Sequence, residues 1–155
     1  MSYARFAAMI AVSTIVMFGL MYLNTYAADH IFFSQTRAWM ALVMGATMAV
    51  VMLLFMWGMY DNKTANIGIL VGAALVFAGS LVLVRSQATV GDVAYMKAMI
   101  PHHSIAIMTS ERARISDPRV RQLADEILEA QVREIDEMKA LIADLESDDG
   151  ASNGN

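Results

Sequence analysis

Apolar and polar positions follow two different rhythms along the chain. Up to residue 84 the apolar residues come in long blocks. Phe6 to Ala27 and Trp39 to Tyr60 carry no charge over 22 residues each, and Ile67 to Val84 adds 18 more. A hydrocarbon core of about 30 Å takes about 20 helical residues to cross, so each block is long enough to span a bilayer. Backbone N–H and C=O groups inside lipid must bond within their own segment, so the blocks are expected to be helices. Two polar breaks, "ADHIFFSQTR" and "DNKTAN", separate them. Tyr22, Tyr26, Trp39, Trp57 and Tyr60 fall near block ends, where amphipathic rings favour the membrane interface.

After the short linker "RSQATVG" the rhythm changes to the period of amphipathic helices. One helix is expected from about Asp92 to Arg114. The triplet "SDP" then stops and restarts the chain, with Asp117 as N-cap and Pro118 at the first helical position. A second helix is expected from there to about Leu145. The Gly-, Ser- and Asn-rich acidic residues 148–155 are expected to be disordered. The expected architecture is therefore all-α. A membrane domain, residues 1–85, carries spans at about 6–27, 39–60 and 67–84, and a two-helix hairpin follows over residues 91–147.

Charge sharpens this division. Residues 1–90 hold Arg5, Arg37, Lys63 and Arg85 against Asp29 and Asp61, a net of +2, while residues 91–155 hold seven cations against thirteen carboxylates, a net of −6. No basic patch suggests nucleic acid as a partner. The chain has no cysteine, which excludes disulfides and thiolate ligands. The first block is longer than a signal-peptide core and two further blocks follow it, so it is expected to be a retained span. Arg5 and Lys63 would share one side, and Arg37 and Arg85 the other. The free N-terminus beside Arg5 tips the balance towards N-inside. That orientation makes the protein a multi-pass protein of the inner (plasma) membrane, with its hairpin on the periplasmic or extracellular side.

The stretch "MKAMIPHHSIAIM" concentrates unusual chemistry. At about 100° per residue, Met96, Met99, His103, Ile107 and Ser110 share one face, with His102 on its flank and Met108 pointing away. On the second helix Val120, Leu123, Ala124, Ile127, Ala130, Met138, Leu141, Ile142 and Leu145 form an apolar stripe, interrupted at mid-length by Gln131 and Glu134. Folding the pair antiparallel puts residues opposite when their numbers sum to roughly 233. His103 then lies near Ala130, Met99 near Glu134 and Met96 near Met138. Two readings remain open. In one, methionine fills core gaps and a buried histidine serves only to bond Glu134 or Gln131. Alternatively, thioether and imidazole donors without thiolate favour Cu(I), with Ag(I) as its chemical mimic, over zinc. No Glu-x-x-His is present, which argues against a di-iron centre.

These residues resemble the domain of unknown function 305 family. The shared elements are M-x-x-M-I-P-H-H, then L-A-x-x-I, then Q-x-x-E-I-x-x-M, within residues 92–145. The resemblance implies a ferritin-like helical fold and, as in some members, copper binding and copper tolerance. It carries motif roles onto Met96, Met99, His102, His103, Gln131, Glu134 and Met138. Many members are soluble or singly anchored, so the three spans depart from the family pattern.

Met40, Met44, Met48, Met52 and Met56 recur every fourth residue on the second span, with Met59 three further on. Such a series winds around the helix as an oblique ridge, which suits helix packing better than a metal path, and Met17 and Met21 offer a counterpart. His30 is expected at the interface in a hydrogen-bonding role, with auxiliary ligation as the alternative. An enzyme is not expected, since no nucleophile–base pair or phosphate loop is present. Two functions compete. One is a membrane-anchored module that captures Cu(I) or Ag(I). The other is a non-metal assembly protein whose hairpin drives self-association. The hairpin contact is not expected to use all of Val93, Ile100, Ile105, Ile115, Leu128 and Ile135, so a homo-oligomer completing a four-helix bundle is expected.

Overall fold

A computed structural model describes residues 2–152, with side chains described through residue 148. Among these residues the structure is all helical, with α1 Tyr3–Leu20, α2 Gln35–Phe55, α3 Lys63–Ser86, α4 Asp92–Arg112 and α5 Pro118–Ser152. Short 3-10 turns occupy Ala28–His30 and Trp57–Met59. The chain divides into two compact units, one formed by residues up to 21 with residues 35–89, the other by residues 22–34 with residues from 90 onward.

The first unit contains three helices long and apolar enough to cross a membrane. α2 is the central helix, with α1 and α3 each packed on it. Its packed positions are small: Ala41, Gly45, Ala46 and Ala49, with Leu53 below them. Small residues let membrane helices approach closely. At Gly45 the approach is tight enough that a Cβ would lie 2.3 Å from Thr14 Oγ1. The methionine ridge runs beside this seam, half-buried, with Met52 and Met56 against the core of Phe6, Ala49, Leu53, Tyr60 and Ala73. One end is closed by polar groups. Asn66, fully buried, donates to the Tyr60 carbonyl (3.1 Å) and accepts from the Tyr3 hydroxyl (2.8 Å), while Asn62 caps α3 by accepting from Ala65 N–H. Only 6%, 28% and 11% of the three apolar windows are buried within the protein, so most of this surface is left for a nonpolar surrounding.

The spans differ from the sequence expectation at their ends. α1 stops at Leu20, not near Ala27, and α2 gives way to a 3-10 turn after Phe55. The physical reason for the first difference lies in the second unit. Residues 22–34 form a strap that packs on α4, so their apolar side chains serve the hairpin. Phe32 joins the hairpin core, and the Arg112 guanidinium lies 5.9 Å from the centre of the Tyr26 ring. The Tyr26 N–H donates to Ser104 Oγ (2.8 Å), and His30 Nδ1 lies 2.9 Å from the same oxygen. Lys139 on α5 donates to Asp29 Oδ2 at 2.6 Å.

The hairpin itself begins as expected. Asp117 caps α5 by accepting from the Arg119 N–H (2.8 Å), and Pro118 opens the helix. Pro101 sits inside α4 without ending it. The core is centred on Ile100 and Ile135, 0% and 1% exposed, with Met96, Ile107 and Ile142. This corrects the expected contact, whose stripes left out Ile100 and Ile135. Val120, Leu123, Ile127, Leu141 and Leu145 were expected in it and are exposed instead. The apolar arc of α5 is wider than one helix contact, and α4 takes the edge containing Ile135. α5 also runs past Leu145, through residues expected to be disordered. Glu146 pairs with Lys97 of α4 and the Ser147 hydroxyl donates to the Asp144 carbonyl, holding that turn in place. Residues 153–155 of the expected tail lie outside the described residues.

Candidate soft-metal groove on the hairpin

The helical period that buries Ile100 and Ile107 puts His103 at the edge of the same contact. Its side chain is 14% exposed, and Nδ1 lies 3.2 Å from Glu134 Oε2. The two atoms are close, but their geometry does not make a hydrogen bond, and Nδ1 has no aligned partner. Glu134 is 42% exposed, so its carboxylate keeps access to solvent. It receives a long hydrogen bond from Gln131 Nε2 (3.4 Å). Burial lowers the His103 pKa; Glu134 pulls it up and His102 pushes it further down. Burial wins, so the ring is neutral near pH 7 and the His103–Glu134 contact is not an ion pair. A neutral imidazole is the form that binds a metal.

His103 and Glu134 open into a groove of about 610 Å³ that also contains Met96 and Met138. Four of the six expected ligands therefore share one groove: Met96, His103, Glu134 and Met138. Met99 and His102 stand outside its lining. His102 is exposed, and its ring centre lies 6.1 Å from that of His103. The register differs slightly from expectation, since His103 itself, and not Met99, meets Glu134. Sequence reasoning missed Tyr95, Leu141 and Leu145, which give the groove an apolar wall, and Asp92, Glu137 and Asp144, which make it acidic. For Leu141 and Leu145 the signal was present in the apolar stripe of α5, but it was assigned to the buried contact.

Two observations bear on metal fit. Among the described residues no three of His, Cys, Asp or Glu come together in a way that would hold a metal ion. A hard or zinc-type site of protein ligands is thus not formed there. The groove lining carries one imidazole with an unaligned Nδ1, two thioethers and four carboxylates, and of these the imidazole and thioethers are the donors that suit a soft ion. His30 lies outside the groove lining and shares a hydrogen bond with Ser104, in keeping with the hydrogen-bonding part of the role expected of it.

Comparison with known proteins agrees with the hairpin boundaries. A family described as Domain of unknown function (DUF305) matches residues 85–154. An uncharacterized protein of Acanthamoeba polyphaga mimivirus, L153, is 44% identical over 61 residues, covering 38% of this chain and 40% of that protein. The chain thus spans less than half the length of this curated relative. No solved structure matches the chain. The groove lies within residues 85–154, the part of the chain that the DUF305 family model matches.

Proposed function

We propose that the protein is a membrane-anchored binding module that holds a soft metal ion, Cu(I) or its mimic Ag(I), in the Met96–His103–Glu134–Met138 groove. The observation that carries this reading is the setting of His103: a largely buried imidazole that shares its groove with two thioethers, with one ring nitrogen left without an aligned partner. An unsatisfied buried polar atom costs free energy, and retaining one at a donor-lined groove is expected of a binding site. When bound, the ion would be held by the imidazole and thioethers, with Glu134 orienting the ring or adding an oxygen donor.

The membrane part of the reading is supported by chain order. The strap of residues 22–34 and the hairpin belong to one compact unit, and two apolar helices, α2 and α3, lie between them in sequence. An even number of crossings returns the chain to the side it left. Together with α1 this gives three spans, which fits a multi-pass protein of the plasma membrane with its hairpin outside the cytoplasm. A role in copper handling or tolerance follows from such a placement.

The second reading is a scaffold that uses the hairpin only for self-association. Its supporting observation is the exposed apolar stripe on α5. Metal analysis separates the two. The full chain, purified in detergent under reducing conditions and offered equal Cu(I) and Zn(II), should retain copper in preference to zinc. Retention of neither metal, or preference for zinc, favours the scaffold.

A further inference from the structure

The exposed stripe and the groove lie on the same side of the hairpin. Leu141 and Leu145 belong to both, and Tyr95 flanks them from α4. Leu123, 56% exposed, and Ile127 continue the stripe towards the turn. The other side is covered by the strap through Ser104, Phe32 and Lys139. The hairpin therefore has one closed face and one open apolar face.

Charge along the hairpin, counted over all its sides, differs between its two ends and bears on how a second copy can lie against it. The half nearer the turn, residues 103–133, balances five cations, all arginine, against five carboxylates. The half at the open end, residues 91–102 with 134–148, carries seven carboxylates against Lys97 and Lys139. A second copy laid parallel would oppose the two acidic ends. A second copy laid antiparallel sets each acidic end against the neutral, arginine-bearing end of the other, and still matches apolar stripe to apolar stripe. Like charges at an interface are penalised and complementary ones fix register.

The position of the groove residues gives the arrangement a consequence. His103 and Glu134 lie within about one turn of the midpoints of α4 and of the side-chain-described part of α5. A twofold axis crossing the hairpin at mid-length brings the two His103–Glu134 pairs close to it. Met99 and His102, left outside their own groove, lie within about one turn of His103 on α4 and so fall near the axis as well. We propose that two copies pair antiparallel through their open faces, and that Met99 and His102 of each copy complete the soft-metal site of the other. The sharing rests on the metal reading above; the pairing does not.

Because the chain has no cysteine, introduced thiols report the geometry directly. Antiparallel pairing about mid-length sets Leu123 of one copy opposite Leu141 of the other. It keeps the two copies of Leu123 about 27 Å apart, beyond the Cα separation a disulfide tolerates. Full-length Leu123→Cys and Leu141→Cys proteins, separately tagged and mixed in detergent, should form the mixed disulfide at least roughly tenfold over either self-pair. Predominant self-linking, or no linking with a monomeric mass, overturns the pairing. Wild-type protein that is dimeric by mass in detergent yet takes up no Cu(I) leaves the pairing in place and removes the metal reading. Sharing is read from His102→Ala, which should weaken Cu(I) retention about tenfold in the pair. Unchanged retention overturns the sharing.

Discussion

His103 and Ser104 are neighbours in sequence and opposite in circumstance. Ser104 is fully buried and sits under the strap, with Tyr26 N–H and His30 Nδ1 both within 2.9 Å of its hydroxyl. The Tyr26 N–H donates to Ser104 Oγ, and His30 Nδ1 shares a hydrogen bond with the same oxygen. His103 faces the groove with Nδ1 near a carboxylate but unaligned. One turn of one helix thus separates a face whose polar groups are spent on holding the fold from a face whose polar groups are kept available. The difference teaches how to tell a structural histidine from a candidate ligand. Histidine content alone does not separate His30 from His103; what separates them is whether the ring's neighbours complete its hydrogen bonds.

The contrast can be broken first in its core. Ile135→Ala removes a 1% exposed side chain from the strap-side contact and should destabilise the hairpin by about 2–5 kcal/mol, read by thermal unfolding in detergent. Leu123→Ala, on the open face, should cost a single copy far less, and equal losses would deny that the faces differ. Ser104→Ala leaves the Tyr26 N–H without its acceptor and should cost about 1–3 kcal/mol. Amide exchange at Tyr26 should rise with it, and unaltered exchange would mean the strap is held elsewhere.

Acidification sharpens the same comparison more gently. Burial, followed by the Lys139 charge, lowers the His30 pKa against the pull of Asp29 and Asp136. A histidine whose folded pKa lies below its unfolded value of about 6.5 stabilises the fold above that value and loses the contribution as pH falls through the folded pKa. His103 shifts in the same direction. Asp29, lowered chiefly by its hydrogen bond from Lys139, loses its contribution only below the carboxylate range and so does not act in this window. Melting temperature should therefore fall between pH 7 and pH 5. His30→Gln, which still offers Ser104 an acceptor, should flatten part of that fall. A flat wild-type profile would contradict the reading.

The three spans were legible because an uncharged apolar run has few alternatives. The ends were less so: Tyr22 to Ala27 is apolar enough to extend a span, and nothing local reveals that it turns to pack on α4. Long-range pairing leaves no period in the sequence. On the hairpin, the cap at Asp117 and the meeting of the Met/His cluster with Glu134 were readable from spacing. The choice of Ile135 over Leu123 for the buried edge was not, because an apolar arc wider than one contact does not say which half α4 covers. The distinction between the grooved His103 and the excluded Met99 and His102 needed side-chain geometry.

The central claim is that the open groove, and not the closed face, binds a soft metal. A competition titration of the full-length protein against a Cu(I) chelator tests it most directly, comparing wild type, His103→Ala and Ser104→Ala under reducing conditions. The account predicts Cu(I) binding by wild type, a loss of roughly tenfold or more in His103→Ala, and near-wild-type affinity in Ser104→Ala wherever that variant remains folded. No binding by wild type, or equal binding by wild type and His103→Ala, would contradict it.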